Sequence, residues 1–290
     1  MSISQSFSSL ISRIQPLASE VEAAKQHLAT IQTRLETVFE LSSCRRTGSF
    51  ARGTSIRGFS DADLFAVFRK SNFTRAGSLI SSSTVLNSVR QELVARYPNT
   101  PISRDVMAIS VAFADGRHVD VVPALFDSMH QEKWPVYLMP DGVGGWMKTC
   151  PSIYDAYIEQ ANRASGGKLL YVAQMVKFWR ECRSPRVPLS SFHIELVLAS
   201  EETCKGVKSY GECVRDIFRS LATRGCRAMQ DPFRIAGYIP AVKTEGQRES
   251  TLASVTYSRD HANTALTAEL WQPAEARRQW GIVFNGKFPA

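Results

Sequence analysis

Residues 47–68, TGSFARGTSIRGFSDADLFAVF, decide how the rest of the chain is read. Asp61 and Asp63 stand one residue apart at the head of the apolar run Leu64–Phe68. Alternate side chains of a strand share a face, so both carboxylates point one way while Ala62 and Leu64 point the other. Two like charges that close repel each other and need a compensating cation. A pair of divalent ions bridged by such carboxylates is an arrangement for in-line phosphoryl transfer. Magnesium suits it, because it accepts one or two carboxylates and takes its other ligands from substrate phosphates. Taken alone, the pair equally fits two exposed aspartates at a strand end.

A third carboxylate strengthens the metal reading. Asp120, in HVDVVPAL (118–125), lies between Val119 and Val121 on the second arm of a hairpin signalled by Asp115–Gly116. A charge inside an apolar strand is costly unless it is paired or bound to metal. Beside the Asp61–Asp63 strand, Asp120 completes a metal cage or accepts the proton of an attacking hydroxyl. The alternative is an ordinary ion pair with Arg117 or another cation. Upstream, Gly48–Ser49 are separated from Asp61 by eleven residues. Glycine lets backbone approach a ligand, and the serine hydroxyl with neighbouring N–H groups at the start of a short helix (FARG, 50–53) makes a phosphate cradle. By itself a Gly–Ser pair is a turn.

Composition sets the frame. The chain has 290 residues, 44% hydrophobic and 21% charged, enough for a large core and unlike a disordered segment. No apolar run reaches the roughly 18–20 residues that cross a bilayer. The N-terminus lacks the layout of a signal peptide, so no membrane association and a soluble, cytoplasmic protein are expected. The six scattered cysteines form no CxxC pair and read as reduced, mostly buried thiols. A net charge of +8 favours polyanions such as nucleic acid or nucleoside triphosphates, although no Lys/Arg block stands out.

Apolar spacing over residues 8–43 predicts a long amphipathic helix, with Pro16 either starting its main part or kinking it. Residues 78–98 read as a helix ended by Pro98. From Tyr154 onward helical periodicity dominates, in 168–182, 192–202, 213–226 and 264–284. The reading is an α/β half followed by a helical half, with the cleft between them as the natural site.

Gly–Ser, then DxD, then a later hydrophobic–Asp–hydrophobic strand resembles the polymerase-β-type nucleotidyltransferase pattern. Residues 47–68 are closer still to the bacterial cGAS/DncV-like nucleotidyltransferases (CD-NTases), and the CdnE-like subgroup looks nearest. The likeness extends over GGWMKTCP (144–151), LLYVAQMVKFWR (169–180), SSFHIELV (190–197) and WGIVFNGKFPA (280–290).

The resemblance implies an α+β, two-lobed polymerase-β-like nucleotidyltransferase fold: a mixed β-sheet core with a long N-terminal helix (1–165) and a C-terminal helical lobe (166–290). It implies an enzyme joining nucleoside triphosphates into a cyclic di- or trinucleotide messenger, releasing pyrophosphate, in bacterial anti-phage (CBASS) signalling. Asp61, Asp63 and Asp120 would be catalytic and bind two Mg2+ (or Mn2+) ions. Gly48 and Ser49 would hold the donor triphosphate, Lys177 would reach its phosphates, Ser191 would hydrogen-bond them and Phe192 would stack on the donor base. The positive charge leaves room for RNA or another polyanion as activator, and the family admits conjugation of the C-terminal Ala290 to a partner. A template-independent polymerase making linear product, and an inactive RNA-binding relative of the same fold, are the competing readings.

Overall fold

A computed structural model describes residues 1–59 and 61–290. The chain forms two compact units: Leu17–Gly53 with Ser60–Ile153, and Met1–Pro16 with Thr54–Phe59 and Tyr154–Ala290. The expected division at residue 165 is therefore corrected in three places: at Pro16, around the insert 54–59, and at Ile153.

In the sheet unit, β1 (Leu41–Thr47) and β2 (Ala62–Phe68) are followed by a small ribbon of β3 (Thr74–Arg75) and β4 (Ser78–Leu79). Next come β5 (Ile102–Arg104), β6 (Ile109–Ala112), β7 (His118–His130), β8 (Trp134–Pro140) and β9 (Trp146–Thr149). The main sheet runs β1-β2-β7-β6-β5, with β8 paired to β7 and β9 to β8. Strands β2 and β7 are parallel, whereas β6 and β7 form the antiparallel hairpin marked by Asp115–Gly116. Gly116 takes the positive φ of +81° that this turn requires. The apolar stretch before the turn is itself folded back, as β5 and β6 joined around Asp105 N–H donating to the Ala108 carbonyl at 2.9 Å.

The two faces of this sheet differ. Ala62, Leu64, Ala66 and Phe68 of β2 and Val119, Val121 and Leu125 of β7 enter one core with two helices. Helix α2 (Ala18–Phe39) contributes Ala24, Leu28, Ile31 and Leu35, and the helix Ser82–Arg96 contributes Val85, Leu86, Val89 and Leu93. These are single helical faces, spaced by three, four or seven residues apart from the adjacent pair Val85–Leu86. The opposite sheet face carries only a small cluster of Phe65, Val67, Ala124 and Tyr137. Asp63 and Asp120 share the parity of this second, thinly covered face.

The long helix expected over 8–43 is two helices. α1 (Ile3–Ile14) ends before Pro16, which disfavours helical geometry at the residue preceding it, and α2 starts afresh at Ala18. A capping box opens α1: Gln5 N–H donates to the Ser2 hydroxyl at 3.2 Å, and Ser2 N–H to the Gln5 side chain at 2.7 Å. α1 belongs to the helical unit because Phe7 packs edge-on against Trp280 and Phe288, with both ring separations 4.9 Å.

The five-residue α3 (Gly48–Arg52) lies in the sheet unit, and the helix Ser82–Arg96 is α4. The division between units falls in the first turn of α5 (Pro151–Ala164). The helical unit then runs through α6 (Lys168–Glu181), α7 (Ser191–Ser200), α8 (Tyr210–Thr223), the ribbon β10 (Met229–Gln230) and β11 (Tyr238–Ile239), α9 (Glu245–Ala268) and α10 (Pro273–Val283). The helix expected over 264–284 is broken by Pro273 at the first position of α10. Among the described residues no helix is long and apolar enough to cross a membrane.

Candidate active site

The sheet unit brings its predicted carboxylates together. Asp63 of β2 lies directly opposite Asp120 of β7 in the parallel register, so their side chains leave the same face of adjacent strands. Asp61 stands exposed immediately before β2. Its charge reaches Asp120: burial first, and then the negative charges of Asp61 and Asp105, push the Asp120 carboxyl above its usual range. The hydroxyl of Ser110, the β6 residue opposite Asp120, and the nearby His118 pull the other way. Burial and crowding by carboxylates thus outweigh the local donors. An ion pair with Arg117 does not explain Asp120, because Arg117 is bound to Asp115 at 2.6 Å.

Gly48 closes over this cluster. β1 pairs with β2 so that Thr47 faces Asp63, which carries the next residue across the Asp63 side chain. Gly48 has φ +69°, and a Cβ there would stand 1.8 Å from Asp63 Oδ2. Two separate constraints, the left-handed backbone and this contact, therefore exclude any side chain. The turn continues into α3, whose first residues are Gly48 and Ser49, and ends at Gly53, which donates its N–H to the Ser49 carbonyl.

Whether this cluster suits a divalent ion can be judged from its donors. Carboxylates crowded together are relieved by a cation, and the oxygen-only set matches a hard ion. No group of three or more His, Cys, Asp or Glu among the described residues is arranged to hold an ion by itself. Magnesium does not require one, since it completes its shell with water and phosphate oxygens. The residues fit a metal that arrives with its nucleotide. Asp105, on the β5–β6 turn, is a fourth acidic group in range that the strand pattern did not single out.

In the helical unit Lys177 takes part in a buried polar network. Lys177 on α6 is 1% exposed and lies 2.5 Å from Glu195 of α7. Its ammonium also donates to the Thr54 carbonyl at 3.1 Å and the Thr54 hydroxyl at 2.8 Å. The Thr54 hydroxyl in turn donates to Glu195. Lys177 is thus the centre of a buried knot that ties α6 and α7 to residue 54. The knot explains why 54–59 belongs with the helices, together with Gln174 donating to the Ser55 carbonyl at 3.1 Å and Arg57 N–H to the Ile14 carbonyl at 2.7 Å.

Ser191 and Phe192 open α7. Ser190 caps the helix, accepting the His193 N–H at 3.4 Å, so Ser191 and Phe192 form its half-buried first turn. The Phe192 ring meets Tyr154 edge-on, with centroids 5.2 Å apart.

Residues 1–162 match the Second Messenger Oligonucleotide or Dinucleotide Synthetase domain. The chain belongs to this family. It is a nucleotidyltransferase, a bacterial CD-NTase, as the resemblance implied. A probable cyclic nucleotide synthase of Bacillus cereus (strain VD146) is 26% identical over 275 residues, spanning 84% of this chain and 81% of that protein. The structure of E. coli MS115-1 CdnC with ATP superposes with a TM-score of 0.78 at 18% identity, over 99% of this chain and 98% of that one. The polymerase-β-like CD-NTase fold is therefore shared. Kinship to the CdnE-like subgroup in particular is not confirmed. An Elizabethkingia meningoseptica CdnE, solved with GTP and Apcpp, gives a TM-score of 0.60 at 13% identity over 80% of this chain and 89% of that one.

Proposed function

We propose that this CD-NTase synthesises a cyclic di- or trinucleotide from nucleoside triphosphates, using Asp61, Asp63 and Asp120 to hold two magnesium ions. The observation that carries the reading is the parallel register of Asp63 against Asp120 beneath the Gly48 turn. When bound, the ions supply charge neutralisation and alignment for displacement at the α-phosphorus. The chain's own groups do the rest. Gly48 and Ser49 present backbone and a hydroxyl to the donor triphosphate, with no side chain at residue 48 to obstruct it. Asp120, opposite Asp63 in the parallel register, accepts the proton of the attacking ribose hydroxyl. Ser191 hydrogen-bonds the phosphates, and Phe192 offers a ring to the donor base, a contact of about 1–3 kcal/mol in nucleic-acid systems. A second transfer within the linear product closes the ring. The messenger serves anti-phage signalling in the cytoplasm. Lys177 has no part in phosphate binding on this reading, and neither a polyanion activator nor conjugation at Ala290 is needed for it.

The test is incubation of the purified protein with all four NTPs and Mg2+ or Mn2+, followed by phosphatase and mass spectrometry. Phosphatase-resistant cyclic products are expected. Products wholly digested from their ends would replace the proposal with a linear oligonucleotide polymerase. Salt-dependent RNA binding without turnover would replace it with an inactive binding protein.

A further inference from the structure

We propose that Asp231 is a positioning residue for nucleotide binding, holding the aromatic wall to which Phe192 belongs. The proposal rests on the reading of Phe192 as a ring for the donor base. Asp231 opens the segment 231–244. It is 1% exposed. Its carboxylate accepts four hydrogen bonds: from the Tyr154 hydroxyl at 2.7 Å, and from the backbone N–H of Phe233, Ile235 and Ala236 at 3.0, 2.8 and 2.8 Å. Three of them converge on Oδ2. Hydrogen bonds to an ionised acceptor are about twice as strong as neutral ones, and together they fix the loop around one point.

What the carboxylate fixes is a run of rings. Tyr154 lies edge-on to Phe192 at 5.2 Å and 5.9 Å from Phe233, which in turn meets Tyr157 edge-on at 5.4 Å. Tyr154 is buried, while Phe192, Phe233 and Tyr157 are half-buried, so the anchored ring is the inner one and its neighbours keep open surface. The loop is also tied to the first turn of α7. Ser190 N–H donates to the Ala241 carbonyl at 2.8 Å, and buried His193 donates through Nδ1–H to the Ile239 carbonyl at 3.3 Å. Phe192 lies between those two anchoring residues. A ring held before the base arrives loses less freedom on binding, and Asp231 supplies that hold through the Tyr154 hydroxyl and the Phe233 backbone.

Steady-state kinetics of the full chain with each NTP it turns over test this, alongside melting temperature. Tyr154→Phe removes one donor and leaves the ring, and Asp231→Asn keeps the shape; both are expected to fold. Each should raise the nucleotide KM by about 3–10-fold, the loss of one or two net hydrogen bonds, with kcat within about twofold. Phe192→Ala should raise KM more, and Tyr154→Phe added to it should raise KM no further. If Phe192→Ala raises KM while Tyr154→Phe and Asp231→Asn only lower the melting temperature, Asp231 is merely structural and the proposal is overturned. If Phe192→Ala leaves KM unchanged, the base-stacking reading fails and takes this proposal with it.

Discussion

Two clusters of charge in this chain obey opposite rules. In the helical unit, buried Lys177 is matched by Glu195 at 2.5 Å and by both oxygens of Thr54. On the sheet, Asp63 faces Asp120 across a parallel pair, and the charge of Asp61 adds to the burial that raises the Asp120 pKa. The first cluster balances itself and holds chain segments together. The second crowds charges of one sign, which is costly for folding and useful for gripping cations. On the proposed function, chemistry belongs to the sheet cluster, where Asp63 faces Asp120.

The largest effect that probes this contrast is loss of the sheet carboxylates. Asp61→Ala with Asp63→Ala should drop product below detection by mass spectrometry while circular dichroism shows the fold retained. Turnover by that variant would remove the distinction between the clusters. Asp120→Asn should be equally inactive but melt no lower than the parent at neutral pH, since it relieves a crowded charge. The sign follows from the raised pKa. The folded state binds this proton more tightly than the unfolded one, so stability falls as pH rises from the unfolded value through the folded one. The variant's advantage in melting temperature should therefore shrink as pH drops toward 4.

In the helical unit the same kind of change should act on stability. Lys177→Met removes the cation paired with the buried Glu195 carboxylate and should cost about 3–5 kcal/mol in urea denaturation. Adding Glu195→Gln should recover much of that loss. An unchanged stability with a raised nucleotide KM would restore Lys177 to the phosphates. The smallest effect is expected from Ser110→Ala, which removes a hydroxyl opposite Asp120 that lowers its pKa. The acid limb of the pH–kcat profile should move to higher pH, with activity reduced a few-fold at pH 6 and less at pH 8. A shift in the opposite direction would contradict the role of Asp120 as proton acceptor.

How much of this was legible from the residues follows from the range of each cue. The period of two in SDADLFAVF placed Asp61 and Asp63 on one face, and Asp115–Gly116 marked the hairpin that brings Asp120 back. Those are local signals; the sheet carries the hairpin and sets Asp63 opposite Asp120, while Asp61 stands just before the strand. The capture of 54–59 by the helical unit was not legible, because Thr54 and Ser55 look like loop residues until their partners on α6 and α7 are known. The burial of Lys177 did leave a trace. It sits in VAQMVKFW as Glu195 sits in HIELVLA, single opposite charges in two apolar helices, a pattern that predicts a mutual pair. Most of α9 escaped because Glu245–Asn263 is largely polar, with little apolar periodicity to detect. The strands β8 and β9 escaped because the prolines and glycines of 134–145 read as breakers.

The central claim is that Asp61, Asp63 and Asp120 jointly bind metal with the donor triphosphate. The most direct measurement is anomalous diffraction from crystals grown with Mn2+ and a non-hydrolysable NTP analogue. The account predicts two manganese peaks about 3.5–4 Å apart, with all three carboxylates as ligands and the triphosphate beneath the Gly48 turn. Manganese bound elsewhere, or bound without Asp120 while the analogue occupies the site, would contradict it.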